Sequence, residues 1–478
     1  MSLSSALNSA AGGLTTSARR AEVTSNNIAN AQTEGYGRRE VNLSAGQLGG
    51  VKIDGISRIV DRAVISDRRL ADADVGRQQS GAAVLTQLEQ TFGPVGDAKG
   101  LAGRLAALEQ SLISAGSEPS SELRQSSVLN RLNEVTAVLR SDADAIKGQR
   151  EDADASIAVH VETLNRSLQQ IADLNADISR MRNSGTDPAA VIDNRQIIID
   201  KVAEIVPLRE IDRGSDQVAL YSTSGAALID GKAATFTFDP TTTIVPEMTF
   251  AGGVLSGVAM NGEPLSLTDG YGRMAGGALE AAFTLRDTTL PDIQAGLDNI
   301  AADLLQRFAG PAVDPTLGAG DPGLLTDNGA ALDPLDTTGL SLRVTVNAAV
   351  DPSQGGVLSR LRDGIGAAAT GPAGEQAQFD RWLTALRAPA SATATGPERS
   401  APGHAADHIA KVSQLRLTAE ESLSFDVARQ TTLRTAELSA GVDTDQELQD
   451  LLRIEQAYAA NARVMQTIDS MMRRLMEI

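Results

Sequence analysis

No proline occurs between Pro119 and Pro188, and apolar residues recur at helical spacing through most of that stretch. Proline breaks helix interiors, so a proline-free run with this period can be long helix. Leu129, Leu132, Val138, Leu139 and Ile146 carry the pattern, and Ile157, Val161, Leu164, Leu168, Ile171, Leu174, Ile178 and Met181 extend it as a stripe. Gly148 is a candidate bend, and Asn183-Ser-Gly185 reads as a helix stop with Gly185 near the C-cap. Upstream, Leu101, Leu105, Leu108 and Leu112 step by four, three and four; downstream, a second helix runs from Pro188 to about Val206 and Pro207 ends it. The block therefore predicts a helical bundle. Composition agrees: with aromatics at only 3% of 478 residues, the cores must be built from Leu, Ala and Ile.

After Pro207 the period changes. Ala234-Thr-Phe-Thr-Phe238 alternates at period two, and Asn261-Gly262, within the Thr/Val/Gly-rich stretch Met248 to Leu267, is a strong hairpin-turn signal. Residues 207–275 read as a small β-rich domain. Helix returns from Leu279 to Phe308. The stretch 311–404 is rich in Ala, Gly, Pro, Asp and Thr and reads partly as loop, with one strand candidate at Leu342 to Val346 and one short helix around a core anchor, Trp382. Helix resumes near Ala405 and runs to about Leu438.

The two ends resemble each other. Leu3, Leu7, Ala10, Leu14, Ser17, Ala21, Thr24 and Ile28 alternate at spacings of four and three, the seam of a coiled coil. Leu451, Ile454, Tyr458, Asn461, Met465, Ile468, Met472 and Leu475 repeat the alternation near the other terminus, after a break at Gly441 and an N-cap region at Asp443 to Asp445. Isolated helices are marginal in water. Each end therefore needs a partner, first the opposite end of the same chain and next a neighbouring subunit. The expected fold class is mainly α with a β-rich insertion. It is nested and multidomain: 1–45 with 437–478 as a terminal coiled coil, 46–206 with 276–310 and 405–436 as a helical bundle, 207–275 as the β-rich domain, and 311–404 as an insertion of uncertain structure.

Composition excludes much chemistry. Lys+Arg is 42 against Asp+Glu 61, a net charge of −19, which argues against nucleic acid and against an anionic membrane surface. With no cysteine there is no thiolate nucleophile, disulfide or Cys-ligated metal. The N-terminus shows no basic region followed by an apolar one, so no cleavable signal is expected. No apolar run is long enough to span a bilayer. His404 and His408 stand four apart, half of a metal site, but no third histidine is near; they read as two exposed side chains beside Pro402-Gly403. Gly318-x-Gly320-x-x-Gly323 matches a dinucleotide fingerprint by letters only, with Pro322 inside it. The acidic run Asp142 to Asp154 reads as a solvated helix face. No cofactor, no metal and no catalytic constellation are expected, so the chain is not read as an enzyme.

Residues Ser25 to Arg39 include Asn26, Asn27, Ile28, Ala29, Asn30, Thr33, Gly35 and Tyr36. This run resembles the N-terminal signature shared by the axial proteins of the bacterial flagellum: rod, hook and hook-associated proteins. Gly441-Val-Asp, Glu447, Glu455 to Val464 and Ile468-Asp resemble the matching C-terminal signature. Asparagines at a helix end bond local backbone and tolerate left-handed conformations, Gly35 permits positive φ, and Tyr36 supplies an amphipathic anchor. The helical block before the β-rich domain, the segment Val191 to Pro207 and the helix Leu279 to Phe308 are similar to the first hook-associated protein family, which forms the hook–filament junction. The C-terminal signature departs slightly, with Ala440 and Thr444 where the family often has Ser and a larger residue, and 311–404 matches nothing recognisable.

The resemblance implies an extracellular structural component of the flagellum, exported through the flagellar type III apparatus. It implies an axial polymer of the chain with itself at the hook tip, contacts with the hook protein and the third hook-associated protein, and a dedicated export chaperone on the C-terminal helix. The expected assembly residues are Leu3, Leu7, Leu14, Asn26, Asn27, Ile28, Asn30, Thr33, Gly35 and Tyr36 at one end. At the other they are Leu451, Ile454, Tyr458, Asn461, Met465, Ile468, Met472 and Leu475, which also form the expected chaperone surface. A hook or distal-rod component, or a soluble helical adaptor whose ends pair within the monomer, are the alternatives.

Overall fold

The fold is that of a computed structural model, which describes residues 3–46, 50–265, 272–393 and 395–476. Helix α1 (Leu3–Ala29) leads into an antiparallel hairpin, β1 (Arg38–Ala45) and β2 (Val51–Ile59), with a bulge between Asn42 and Leu43. The helical body follows: α2 (Arg62–Phe92), α3 (Leu101–Ser117), α4 (Glu122–Asn183) and α5 (Ala189–Ile205). Next come β3 (Leu208–Gly214), β4 (Gln217–Ser222), β5 (Ala227–Asp230) and β6 (Lys232–Ala233) as one antiparallel sheet. A second small sheet holds β7 (Phe236–Thr237), β8 (Ala259–Met260) and β9 (Glu263–Pro264). Helices α6 (Gly277–Thr284) and α7 (Leu290–Arg307) are joined by one π turn, Leu285–Thr289. Then follow β10 (Leu325–Asp327), α8 (Leu340–Arg343), β11 (Val344–Val346), α9 (Arg360–Asp363), α10 (Ala377–Arg387), α11 (Ala401–Ser439) and α12 (Thr444–Met476). Packing is nested: α12 lies on α1, and α11 lies on α2.

Helix α4 is a single helix of 62 residues with no break at Gly148, about 93 Å long at the usual rise. Its end is a Schellman cap: Thr186 N–H bonds Met181 O at 2.8 Å, Gly185 N–H bonds Arg182 O, and Gly185 takes φ +75. The stop expected at Asn183-Ser-Gly185 is therefore real, as is the Asn261-Gly262 turn, whose φ values of +55 and +86 are those of a tight hairpin.

One apolar core does not serve the whole of α4. Leu129 to Ala153 pack with α2, α3, α7, α11 and the 311–404 stretch. From Ile157 to Ile171, α4 packs instead with α5, α6 and the β sheets. The boundary between the cores is polar and fully paired. Arg286, 0% exposed, donates to Asp154 Oδ1 at 2.6 Å and to both oxygens of Asp287, beneath the faces of Phe283 and Phe238. The π turn alters the local hydrogen-bond ladder, and Arg150 Nε donates to the Arg286 carbonyl at 3.1 Å while its other nitrogens reach Val245 O and Met248 O. Asp154 is therefore buried, and Asp142 is 4% exposed, while Asp144 and Asp152 are exposed; the expectation of a solvated acidic face holds for the middle of the run and is overturned at its two ends. Those ends face inward because Leu139, Asp142, Ile146, Arg150, Asp154 and Ile157 continue one helical stripe.

Two further points, the second of them a correction, concern the second half of the chain. The 311–404 stretch, left open by the sequence, packs on the first core with a strand at Val344–Val346 and a short helix carrying Trp382. Trp382 is 0% exposed, donates to Leu361 O and meets Phe308 edge-on at 5.7 Å. Buried polar groups on α7 hold its loops: Asp298 accepts Gly339 N–H and Ser341 N–H, and Arg307 donates to Ala385 O, Ala388 O and Arg399 O. His404 and His408 are not exposed loop residues, because α11 begins at Ala401, capped by Ser400. His404 is 8% exposed and bonds Ala390 O; His408 is half-buried as a residue, with its ring stacked on Phe92 and its Nε2 shielded from solvent. The hairpin β1–β2 is an addition, since no strand was expected before Pro207. Leu267, at the end of the β-rich stretch, lies outside the described residues.

Candidate functional site

The two terminal signatures meet. Asn27 on α1 is 1% exposed, and both its amide hydrogens and its carbonyl oxygen are engaged. Its Nδ2 donates to Arg39 O at 2.9 Å and to Glu447 Oε2 at 3.1 Å; its Oδ1 accepts from Tyr36 Oη at 2.8 Å and Arg39 N–H at 3.0 Å. That is the side chain's full complement of two donors and two acceptor sites. Glu447, 2% exposed on α12, also takes Arg38 Nε at 2.7 Å. One buried amide therefore ties α1, the signature loop, β1 and α12 together. Burial holds the Tyr36 phenol above its ordinary pKa, so it remains a donor.

The rest of the signature shapes the turn. Asn30 Nδ2 bonds Asn26 O, and Thr33 Oγ1 bonds Asn30 Oδ1, closing the helix end. The Asn26 side chain is exposed and Ile28 is half-buried. Gly35 has φ +73, and a Cβ there would sit 2.6 Å from Ile197 Cγ1 on α5. The turn thus runs hard against the body. Asp193 on α5 holds it there: Oδ1 accepts Gly37 N–H at 3.2 Å and Arg58 Nε at 2.8 Å, and Oδ2 accepts Arg39 Nη2 at 2.8 Å. Sequence reasoning did not single out Asp193, although it lies in the Val191 to Pro207 segment. Glu447 carried the C-terminal likeness, but its link to Asn27 spans 420 residues and no local pattern announces it.

Along the terminal pair, α1 and α12 run antiparallel. Asn27 meets Glu447, and Gly13, fourteen residues back along α1, meets Asn461, fourteen residues forward along α12. A Cβ on Gly13 would lie 2.6 Å from Asn461 Nδ2, and one on Gly12 would lie 3.3 Å from Val51 O of the hairpin. This helix interior therefore carries two destabilising glycines because both neighbours come close. Having two neighbours also rotates the buried face from the expected seam. Ala10, Thr16, Ser17, Val23, Thr24 and Asn27 are buried, whereas Leu7 and Leu14 are only half-buried. On α12, Ile454 and Ile468 are buried, and Leu451, Asn461 and Met465 are half-buried. Tyr458 is 48% exposed and Met472 44%. The side chains of Leu3 and Leu475 lie outside the described residues. Leu448, Leu452, Val464 and Met471 are also exposed on α12.

No group of three His, Cys, Asp or Glu side chains able to hold a metal occurs among the described residues. A cavity of about 370 Å³ lies between the hairpin, α2, α5 and β3–β4, and much of its charged lining is engaged in internal pairs such as Arg62–Asp212 and Arg69–Glu210. No described helix is long and apolar enough to cross a membrane.

The paired terminal helices and the helical body that carries them are the parts of the chain that match axial proteins of the bacterial flagellum. Residues 7–36 match the family described as "Flagella basal body rod protein", and 438–478 match "Flagellar basal body rod FlgEFG protein C-terminal". Residues 85–310 match "Flagellar hook-associated protein FlgK helical domain". The chain is 22% identical over 492 residues to flagellar hook-associated protein 1 of Bacillus subtilis, across 94% of this chain and 93% of that one. It is 24% identical over 247 residues to the Salmonella typhimurium protein of that name, across 48% of this chain and 44% of that one. A solved flagellar hook junction protein from Burkholderia pseudomallei superposes with a TM-score of 0.46 at 15% identity, over 55% of this chain and 47% of that one. The chain belongs to the FlgK family of flagellar hook-associated protein 1, structural components of the extracellular flagellum at the hook–filament junction.

Proposed function

We propose that the chain forms a short axial layer of identical subunits at the hook tip, with α1 and α12 packed against their counterparts in neighbouring copies. The observation that carries this reading is the exposed apolar surface of α12, at Leu448, Leu452, Tyr458, Val464, Met471 and Met472. Six large apolar side chains exposed along one helix exceed the scattered singles of an ordinary surface and mark an interaction site. One end of the layer meets the hook protein and the other the third hook-associated protein. Before export through the flagellar type III apparatus, a dedicated chaperone covers the same α12 surface. Leu7, Leu14, Ile454, Asn461, Met465 and Ile468 hold the terminal pair; the signature from Asn26 to Tyr36 fixes its attachment to the body.

The test is deletion of the gene followed by complementation. Cells without it carry hooks lacking filaments and shed flagellin into the medium. The wild-type gene restores filaments, and a Leu448→Asp/Leu452→Asp variant that folds normally does not. Normal filaments in the deletion strain, or full restoration by that variant, would overturn the proposal.

A further inference from the structure

The first core contains an acid and a base that no neighbour answers. Asp142 lies on the inward stripe of α4, 4% exposed, with burial as the only influence on its proton affinity and no hydrogen-bond partner among the described residues. His408 lies on α11, stacked on Phe92 at 6.0 Å between ring centroids. Its Nδ1 edge lies against Gly296 of α7, where a Cβ would be 2.7 Å from Nδ1. Its Nε2 is shielded from solvent and has no hydrogen-bond partner among the described residues.

Both side chains line one small cavity of about 40 Å³, partly open to solvent and bordered by Phe92, the turn Gly93 to Asp97, Leu101 and Ile409. A water needs roughly 10–15 Å³ of such space and two or more polar partners, so the cavity accommodates water and offers it an acid and an imidazole. An unanswered buried polar group costs stability. We propose that Asp142 and His408 form a neutral, water-linked acid–base pair that shares a single proton between α4 and α11.

The surrounding charges leave this pairing open. Asp97, in the turn, accepts Lys99 N–H. On α11, Lys411 pairs with Asp407, which also pairs with Arg399; His404 is bonded to Ala390 O. Phe92 of α2, Leu101 and Ala102 of α3, and Gly296 and Asn299 of α7 bring no charge to either side of the ring. Burial pushes the Asp142 carboxyl up to about 7; burial, with help from Lys411, pushes the His408 imidazole down to about 4.

The consequence is a proton count that does not change on folding. Taken alone, Asp142 with its raised value stabilises the fold at low pH and loses that contribution as pH rises toward 7. Taken alone, His408 with its depressed value contributes fully above its unfolded value of 6.5 and loses that contribution as pH falls toward 4. Between those limits the unfolded pair carries one proton, on the histidine, and the folded pair also carries one, on the aspartate. The two slopes cancel.

The experiment compares thermal unfolding of the full chain, Asp142→Asn and His408→Gln from about pH 4.5 to 6.5, alongside the NMR titration of His408, simple to assign with three histidines. Relative to wild type, Asp142→Asn should gain stability as pH rises and His408→Gln should lose it, each by roughly a hundredfold in the folding constant across the window. His408 should titrate at a different pH in Asp142→Asn than in wild type. Parallel pH profiles, or a His408 titration indifferent to Asp142, overturn the pair. Should either variant fail to fold, the wild-type chain alone decides: at about pH 5.5 the ring must be neutral and a protonated carboxyl must persist in the infrared spectrum, and a charged ring there rejects the proposal.

Discussion

Helix α4 and the α1–α12 pair are both long amphipathic helical structures, yet they are stabilised differently. Twelve of the 21 buried residues of α4 are Leu, Ile or Val, most of them at 0–1% exposure, and its buried Arg150 and Asp154 are hydrogen-bonded within the body. The α1–α12 pair buries mostly small and polar side chains (Ala, Gly, Ser, Thr, Asn and Glu447), with Val23 from α1 and two isoleucines from α12, while other large apolar side chains of α12 are exposed. At about 25 cal/mol per Å² of apolar area, small residues contribute little. The body is sufficient to itself; the terminal pair is specified by one polar joint and left short of buried area. The difference separates a body that carries its own core from a terminal pair whose larger apolar side chains stay uncovered in the single chain.

That comparison breaks if substitutions at the two places act alike on the isolated chain. The largest effect belongs to Asp154→Ala, which leaves the fully buried Arg286 with Asp287 as its remaining ionic partner; about 3–5 kcal/mol of unfolding free energy should be lost in denaturant titrations. Leu139→Ala on the same stripe should cost about 2–5 kcal/mol, read the same way. Asn27→Ala should cost about 1–3 kcal/mol of local stability, seen as faster amide exchange in α1 and α12 with the body unchanged. Asp193→Asn should loosen the terminal unit on α5 with little change in melting. Because the chain has no cysteine, spin labels at Lys52→Cys and Lys201→Cys would report this directly as a broadened distance distribution. Leu452→Asp should alter monomer stability by less than about 0.5 kcal/mol and yet abolish swimming. If it instead unfolds the chain, the terminal pair is part of the self-sufficient core and the distinction fails.

The long helices were legible because their stripes repeat without proline, and the stops at Gly185 and Asn261-Gly262 because turn chemistry is local. The hairpin β1–β2 was not, since Gly55 and several polar residues interrupt its alternation and much of its surface stays solvated. The order in 311–404 was hidden for a different reason. Asp298, Arg307 and Asp314 bind backbone groups tens of residues away, and an amino-acid pattern does not mark which carboxylate will hold which loop. The burial of Asp142 and Asp154 was readable in principle, because both fall in step with Leu139, Ile146 and Ile157. Reading charge before phase sent them to the surface. At the terminal joint the Asn and Gly residues were visible as a motif, but their partners Glu447 and Asp193 are matters of tertiary geometry.

The Asn27–Glu447 bond closes a loop of 420 residues. Contacts of such sequence separation form late, after local helices and the bodies built from them. A chain emerging N-terminus first exposes Asn27 long before Glu447 arrives, so α1 spends that interval without its mate. Intermediates that lack the C-terminal residues have a joint unable to close, and until α11 arrives the first core also lacks one of its walls. The joint between the two signatures is thus the last part of the chain to be completed.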